Sequence, residues 1–235
     1  MKEGQKHFIE NWLSKTIDSA AAPVFQQILA RGISSINGEQ KSVLVQFISA
    51  LLARRPEIVR QLRDETPRAL RENMNRPIEG EDPVGVAELA AMGLTLEAWV
   101  EKHMPALIEN SGQLMLGELI ADSAMGQKLF DMQWFTVDYS GGALFPFPTT
   151  DRPTIALGKG IDDPDALHVL PLAPHLILYG SSDARCAQLK ALSKAELGLR
   201  TMRQVIAKAR GCAFGTAATN RNLLDRYLPE KIWRG

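Results

Sequence analysis

A chain of 235 residues with 45% hydrophobic and 23% charged residues is long enough to bury a sizeable core and too apolar to stay disordered. Its 27 Lys and Arg balance 27 Asp and Glu, so the net field draws it neither to phosphate backbones nor to anionic membranes. Apolar runs such as Leu51-Leu52-Ala53 and Leu176-Ile177-Leu178-Tyr179 fall far below the roughly 20 residues that span a bilayer, so no transmembrane helix is expected. The N-terminus lacks the apolar stretch and cleavage site of a signal peptide, and the expected compartment is the cytoplasm. Cys186 and Cys212 show no partner pattern, which predicts reduced, buried, inert thiols.

The predicted elements begin with an amphipathic helix over residues 8–30, where Ile9, Leu13, Ile17, Ala21, Val24 and Ile28 recur three or four apart and Pro23 marks a kink or break. Asn37 followed by Gln40 forms a capping-box pattern ahead of a second helix, striped by Val43, Leu44, Phe47, Ile48, Leu51 and Leu52 and interrupted at Pro56. A third helix is predicted from Glu57 to Arg71, and the string from Asn73 to Pro83 is a loop by composition. Thr95 is the expected N-cap of a helix over Leu96 to Lys102, and Pro105 the first turn of another that runs to about Ser123.

After Gly126 the pattern changes. Trp134 to Tyr139 alternate in strand fashion, and Ser140-Gly141-Gly142 supplies a turn. Leu144 to Phe147, Thr154 to Leu157, Val169 to Leu172 and Leu176 to Tyr179 are further candidate strands, with Gly158 to Asp165 as a solvated connection. The helical period returns from Ala184 to Lys208, weakened at Gly198, and a last helix covers Asn220 to Leu228. These elements predict an α+β fold: one domain over residues 1–235, with a helical half (1–126) packed on a half (127–235) that holds a small, mostly antiparallel sheet and terminal helices.

Ile17-Asp18-Ser19-Ala20-Ala21, the Phe47 to Leu52 stripe followed by Arg54-Arg55-Pro56-Glu57, Thr150-Asp151-Arg152-Pro153 and Pro171-Leu172-Ala173-Pro174 together resemble a large, mostly bacterial family of uncharacterised proteins, the domain-of-unknown-function family 4238. The resemblance implies an acidic helix start, a helix ended by Arg-x-Pro, a Ser/Thr-Asp-x-Pro corner and a Pro-Leu-x-Pro strand, and it carries no established activity. Family members open with a His-x-x-Pro-like segment that nothing before His7 resembles, so the chain is expected to lack that N-terminal segment. They often carry an Asn in the late helix, where Leu199 to Arg203 has none.

Two readings of Asp151 stay open. Its carboxylate caps a turn, as in Asx-turns, or it projects from a strand end as general base or metal ligand, its charge compensated by Arg54 or Arg55, with Thr150 and Trp134 binding a ligand. Arg54, at a helix end before Pro, also suits the C-terminal dipole. His7, His103, His168 and His175 have no zinc spacing, and Asp162, Asp163 and Asp165 lack that of a calcium loop. No phosphate loop or nucleophile elbow occurs, and neither metal nor cofactor is expected. Arg200, Arg203, Lys208 and Arg210 are the nearest thing to a basic patch; without interleaved aromatics they read as a solvated helix face, so nucleic acid is not the expected partner. Two functions follow: an interaction or regulatory module with a ligand pocket and a protein partner, or a hydrolase of a phosphate-containing substrate using Asp151 as acid/base and Arg54 as charge stabiliser.

Overall fold

The computed structural model describes residues 11, 13–76, 83–121, 123–141, 146–215 and 218–228, in an α+β arrangement of helices, a four-stranded antiparallel sheet and a two-stranded one. The described residues form two compact units, one within 53–121 and one made of those within 11–52 and 123–228. Among the described residues no helix is long and apolar enough to cross a membrane.

The first unit is helical. Pro56 opens α3 (Pro56–Met74), following α1 (Ser19–Arg31) and α2 (Gly38–Ala53) of the second unit, and α4 (Pro83–Ala91), α5 (Leu96–His103), α6 (Pro105–Glu109) and α7 (Ser111–Ala121) complete it. The Thr95 hydroxyl accepts the Ala98 N–H at 3.2 Å, the predicted cap. The helix expected from Pro105 to Ser123 is two, because the chain bends at Asn110, whose side chain donates back to the Ala106 carbonyl. Just past the bend Gly112 lies against α3, where a Cβ would stand 2.6 Å from the Leu62 carbonyl oxygen. Residues 77–82 of the predicted loop lie outside the described residues.

The second unit is layered about the sheet. Its strands are β1 (Gln133–Asp138), β3 (Ile155–Leu157), β4 (Leu167–Ala173) and β5 (Leu176–Ser181), in the order β1-β5-β4-β3, and every pairing is antiparallel. Alternation sorts the side chains onto two faces. Phe135, Ile155, Leu167, Val169, Ile177 and Tyr179 pack with Cys186, Leu189, Leu197, Met202, Val205 and Ile206 from α9 (Asp183–Ala191) and α10 (Lys194–Ala207). Leu170 and Leu178 pack the other way, with Val24, Ile28, Leu44, Val45 and Ile48 of α1 and α2 and Leu129 of α8 (Ser123–Asp131). All six residues of β5 are buried, as expected of a strand covered on both faces. Pro171 occupies β4 beyond the end of β3 and beside a bulge, a place where a ladder tolerates proline.

Local chemistry explains where the observed elements depart from the predicted ones. Pro23 sits inside α1 without ending it, and the preceding turn, Leu13–Asp18, is a π-helix, a wider coil that leads into the turn with the missing N–H. The Asn37–Gln40 capping box forms as predicted, with Asn37 Oδ1 accepting the Gln40 N–H at 2.9 Å and Gln40 Oε1 accepting the Asn37 N–H at 3.0 Å. The late helix is not weakened at Gly198, which is buried within α10; it divides at Ser193, whose hydroxyl accepts the Glu196 N–H and starts α10 afresh. Ser193→Ala is expected to destabilise the protein by about 1 kcal/mol in urea denaturation, the usual worth of an N-cap. Two short strands not predicted, β2 (Thr149–Thr150) and β6 (Ala213–Phe214), pair with each other ahead of α11 (Ala218–Tyr227). Of the candidate strand Leu144 to Phe147, residues 144 and 145 lie outside the described residues, and Phe147 is buried without strand pairing.

Candidate functional site

The sequence-predicted site residues do not gather in one element. Thr150 ends β2 and is buried; its hydroxyl accepts the Arg152 N–H and donates to the Arg152 carbonyl, each at 3.1 Å, a hydroxyl-stabilised turn. Asp151 follows, and its carboxylate reaches across to the loop before β6: Oδ1 accepts the Arg210 N–H at 3.1 Å and Oδ2 the Gly211 N–H at 2.9 Å. The backbone N–H of Asp151 in turn donates to the Cys212 carbonyl at 3.1 Å, so residue 151 is clamped to residues 210–212 through three bonds. Arg54 is half-buried just after α2, and it falls in the first unit while Asp151 falls in the second.

Trp134 lies on β1, which is an edge of the sheet; the centre belongs to β5 and β4. Its half-buried indole covers Gly180 of β5 and its Nε1–H donates to the Leu129 carbonyl at 2.9 Å. His168, buried on β4, is the cross-strand partner of Gly180 on the other side, with its ring 6.4 Å from that of Trp134.

The acidic connection is a turn built on itself: Asp163 accepts the Lys159 N–H at 2.7 Å and the Asp165 N–H at 2.9 Å, bonds that hold its carboxyl below the usual range. Lys128 pairs with Asp162 at 2.6 Å. Among the described residues no three His, Cys, Asp or Glu side chains gather as metal ligands do. Cys186 is buried as expected, its thiol pushed up by burial, whereas Cys212 is exposed because its loop is pinned by its backbone and leaves the side chain outside.

A concave feature lies elsewhere in the second unit. A cleft of about 330 Å³ opens between the β3–β4 side of the sheet and helices α9 and α10. Its floor is Ile155, Leu157, Leu167 and Val169, and Leu189, Leu197 and Val205 extend the apolar wall. Arg185, Arg200 and Arg203 line it too, with Thr201 and Gln204. Arg185 donates to Gln188 Oε1 at 2.8 Å, Arg200 pairs with Glu196 one turn back at 2.6 Å, and Arg203 lies 5.3 Å from the centre of the Tyr227 ring. No lining residue carries a carboxylate. The helical spacing of Arg200 and Arg203 was visible in the sequence as a basic series, but the strands that complete the cleft carried no signal linking them to it.

At the inner wall, Thr201 connects the cleft to the core. Its hydroxyl is 2.9 Å from that of Tyr179, which is 2.7 Å from that of Tyr139. All three residues are buried, and burial pushes both phenols above their ordinary value, so they stay protonated.

An antiparallel sheet between two helical layers, with a basic-rimmed apolar cleft on one face, defines an α+β protein with a candidate small-molecule site. The chain belongs to the family described as Protein of unknown function (DUF4238), whose model matches residues 2–191. That span contains the cleft floor, Arg185 and Leu189, and residues 197–205 of the α10 wall follow it. No curated protein and no solved structure matches the chain.

Proposed function

We propose that this protein is a ligand-binding module, regulatory and not catalytic, whose second unit takes up a small anion with an apolar body. The observation that carries this reading is the pairing of an apolar floor with three lining arginines and no lining carboxylate. A volume of about 330 Å³ falls in the range of small-molecule pockets, which are mostly apolar with a few polar groups that fix orientation. A bare phosphate would leave the floor uncovered, and an uncharged hydrocarbon would gain nothing from the guanidinium groups, which keep donors to spare beyond their contacts with Gln188, Glu196 and Tyr227. An amphipathic acid satisfies both, because Arg binds carboxylate or phosphate through two parallel N–H bonds while its stem lies along apolar surface. The hydrolase alternative relies on Asp151 and Arg54, and the bonds from Asp151 to Arg210 and Gly211 favour a clamp for that residue.

The test is calorimetric titration with 4-phenylbutanoate and with its uncharged counterpart, 4-phenylbutan-1-ol. The acid is expected to bind more tightly than the alcohol, and an R200A/R203A double variant is expected to weaken the acid about tenfold or more, the worth of hydrogen bonds to a charged group. Equal binding of acid and alcohol, or an acid affinity unchanged in the double variant, would refute the reading.

A further inference from the structure

Resting on the proposed use of the cleft, we infer that Thr201 reads a neutral oxygen within the ligand's apolar body, so that the ligand class is an apolar acid bearing a carbonyl, ether or hydroxyl oxygen apart from its anionic head. Tyr139, Tyr179 and Thr201 form a line of three hydroxyls, each with one proton to give, and the two contacts within the line consume two of them. When Tyr139 donates to Tyr179 and Tyr179 to Thr201, the third proton is on Thr201, the member of the line that borders the cleft. In the opposite direction Thr201 would give its proton inward and offer only lone pairs beside three arginines.

An electron-rich ligand selects the first direction, since an acceptor placed at the wall gains a donor that two buried phenols polarise from behind. The phenols are held protonated by burial, so the line delivers a hydrogen bond and no charge. Leu197, one turn before Thr201, and Val205, one turn after it, are apolar and line the same space, as does the polar Gln204 three residues on. A purely hydrocarbon body at this wall would leave the Thr201 hydroxyl without an outward partner, whereas an oxygen there satisfies it. The anionic head belongs to the arginines, so Thr201 is a specificity residue and the arginines supply most of the affinity.

The experiment compares two probes that differ by one oxygen, 4-phenylbutanoate and 4-oxo-4-phenylbutanoate, on the full chain by calorimetry. The oxo acid is expected to bind about three- to tenfold more tightly, the worth of one neutral hydrogen bond. Thr201→Val is expected to abolish that preference, read as the ratio of the two affinities within the same variant, and Thr201→Ser, which keeps the hydroxyl, to restore it. Tyr179→Phe, which removes the donor behind Thr201, is expected to shrink the same ratio. If both probes bind wild type equally, or the preference survives Thr201→Val, the inference is overturned and the cleft reading stands. If neither probe binds, the cleft reading fails and takes the inference with it.

Discussion

Gly180→Ala is expected to destabilise the protein by about 2 kcal/mol, and the same substitution in a Trp134→Ala background is expected to stabilise it by about 0.5 kcal/mol. A Cβ at position 180 would stand 2.4 Å from the Trp134 ring, well inside any real contact. Retreat of the indole is opposed, since its Nε1–H is tied to the Leu129 carbonyl at 2.9 Å and it packs against the apolar cluster that includes Leu129, Leu170 and Leu178. Overpacking of this kind typically costs about 1–3 kcal/mol. Trp134→Ala alone is expected to cost about 3 kcal/mol, at the low end for a tryptophan because the ring is half-buried. Once the ring is gone the three nearest obstacles to the added methyl go with it, and Ala then outranks Gly in a strand because it loses less backbone entropy. The check is urea denaturation of both single variants and the double variant. Strict additivity would show that the indole does not occupy the space over Gly180, and would return Trp134 to the role of a ligand-stacking side chain.

The same pair shows what a sequence reveals and what it withholds. Strands β4 and β5 were legible because their runs are apolar at consecutive positions, the mark of burial on both faces. Trp134 was legible as a strand residue but not as an edge residue, since strand order depends on pairings that local alternation does not encode. Ser193 and Glu196 carried a readable helix start, but the apolar period of the two late helices runs on across it and masked the break. Strands β2 and β6 are two residues each, too short for a period of two to register. The cleft draws its lining from β3, β4, α9 and α10, and only the Arg200 and Arg203 component stood out along the chain. The hydroxyl line had no signal at all, because Tyr139 just follows β1, Tyr179 lies on β5 and Thr201 on α10, and all three resemble ordinary core residues until register and packing bring them together.

Asp151 stands out in the sequence between two hydroxyl residues and Pro153, and its behaviour decides between clamp and site. Both carboxylate oxygens accept backbone N–H groups from the loop that leads into β6, and backbone donors leave no trace in a side-chain pattern. Asp151→Ala removes two charge-assisted bonds and leaves the N–H groups of Arg210 and Gly211 to find water. Each such bond contributes about 1.5–3 kcal/mol when shielded; these are solvent-accessible, so a total loss of about 2 to 3 kcal/mol is expected. Asp151→Asn keeps one carbonyl acceptor and loses the charge, and is expected to cost about half as much. Because the clamp joins β2 to the segment after α10, hydrogen exchange of the amides of Arg210 and Gly211 should rise in both variants, more in the alanine variant. Binding of 4-phenylbutanoate in the cleft should change by less than about twofold, since Asp151 is not among the residues that line it. A stability unchanged in Asp151→Ala, with those amides still protected, would mean that the carboxylate does not hold the loop, and would reopen the case for a chemical role at this position.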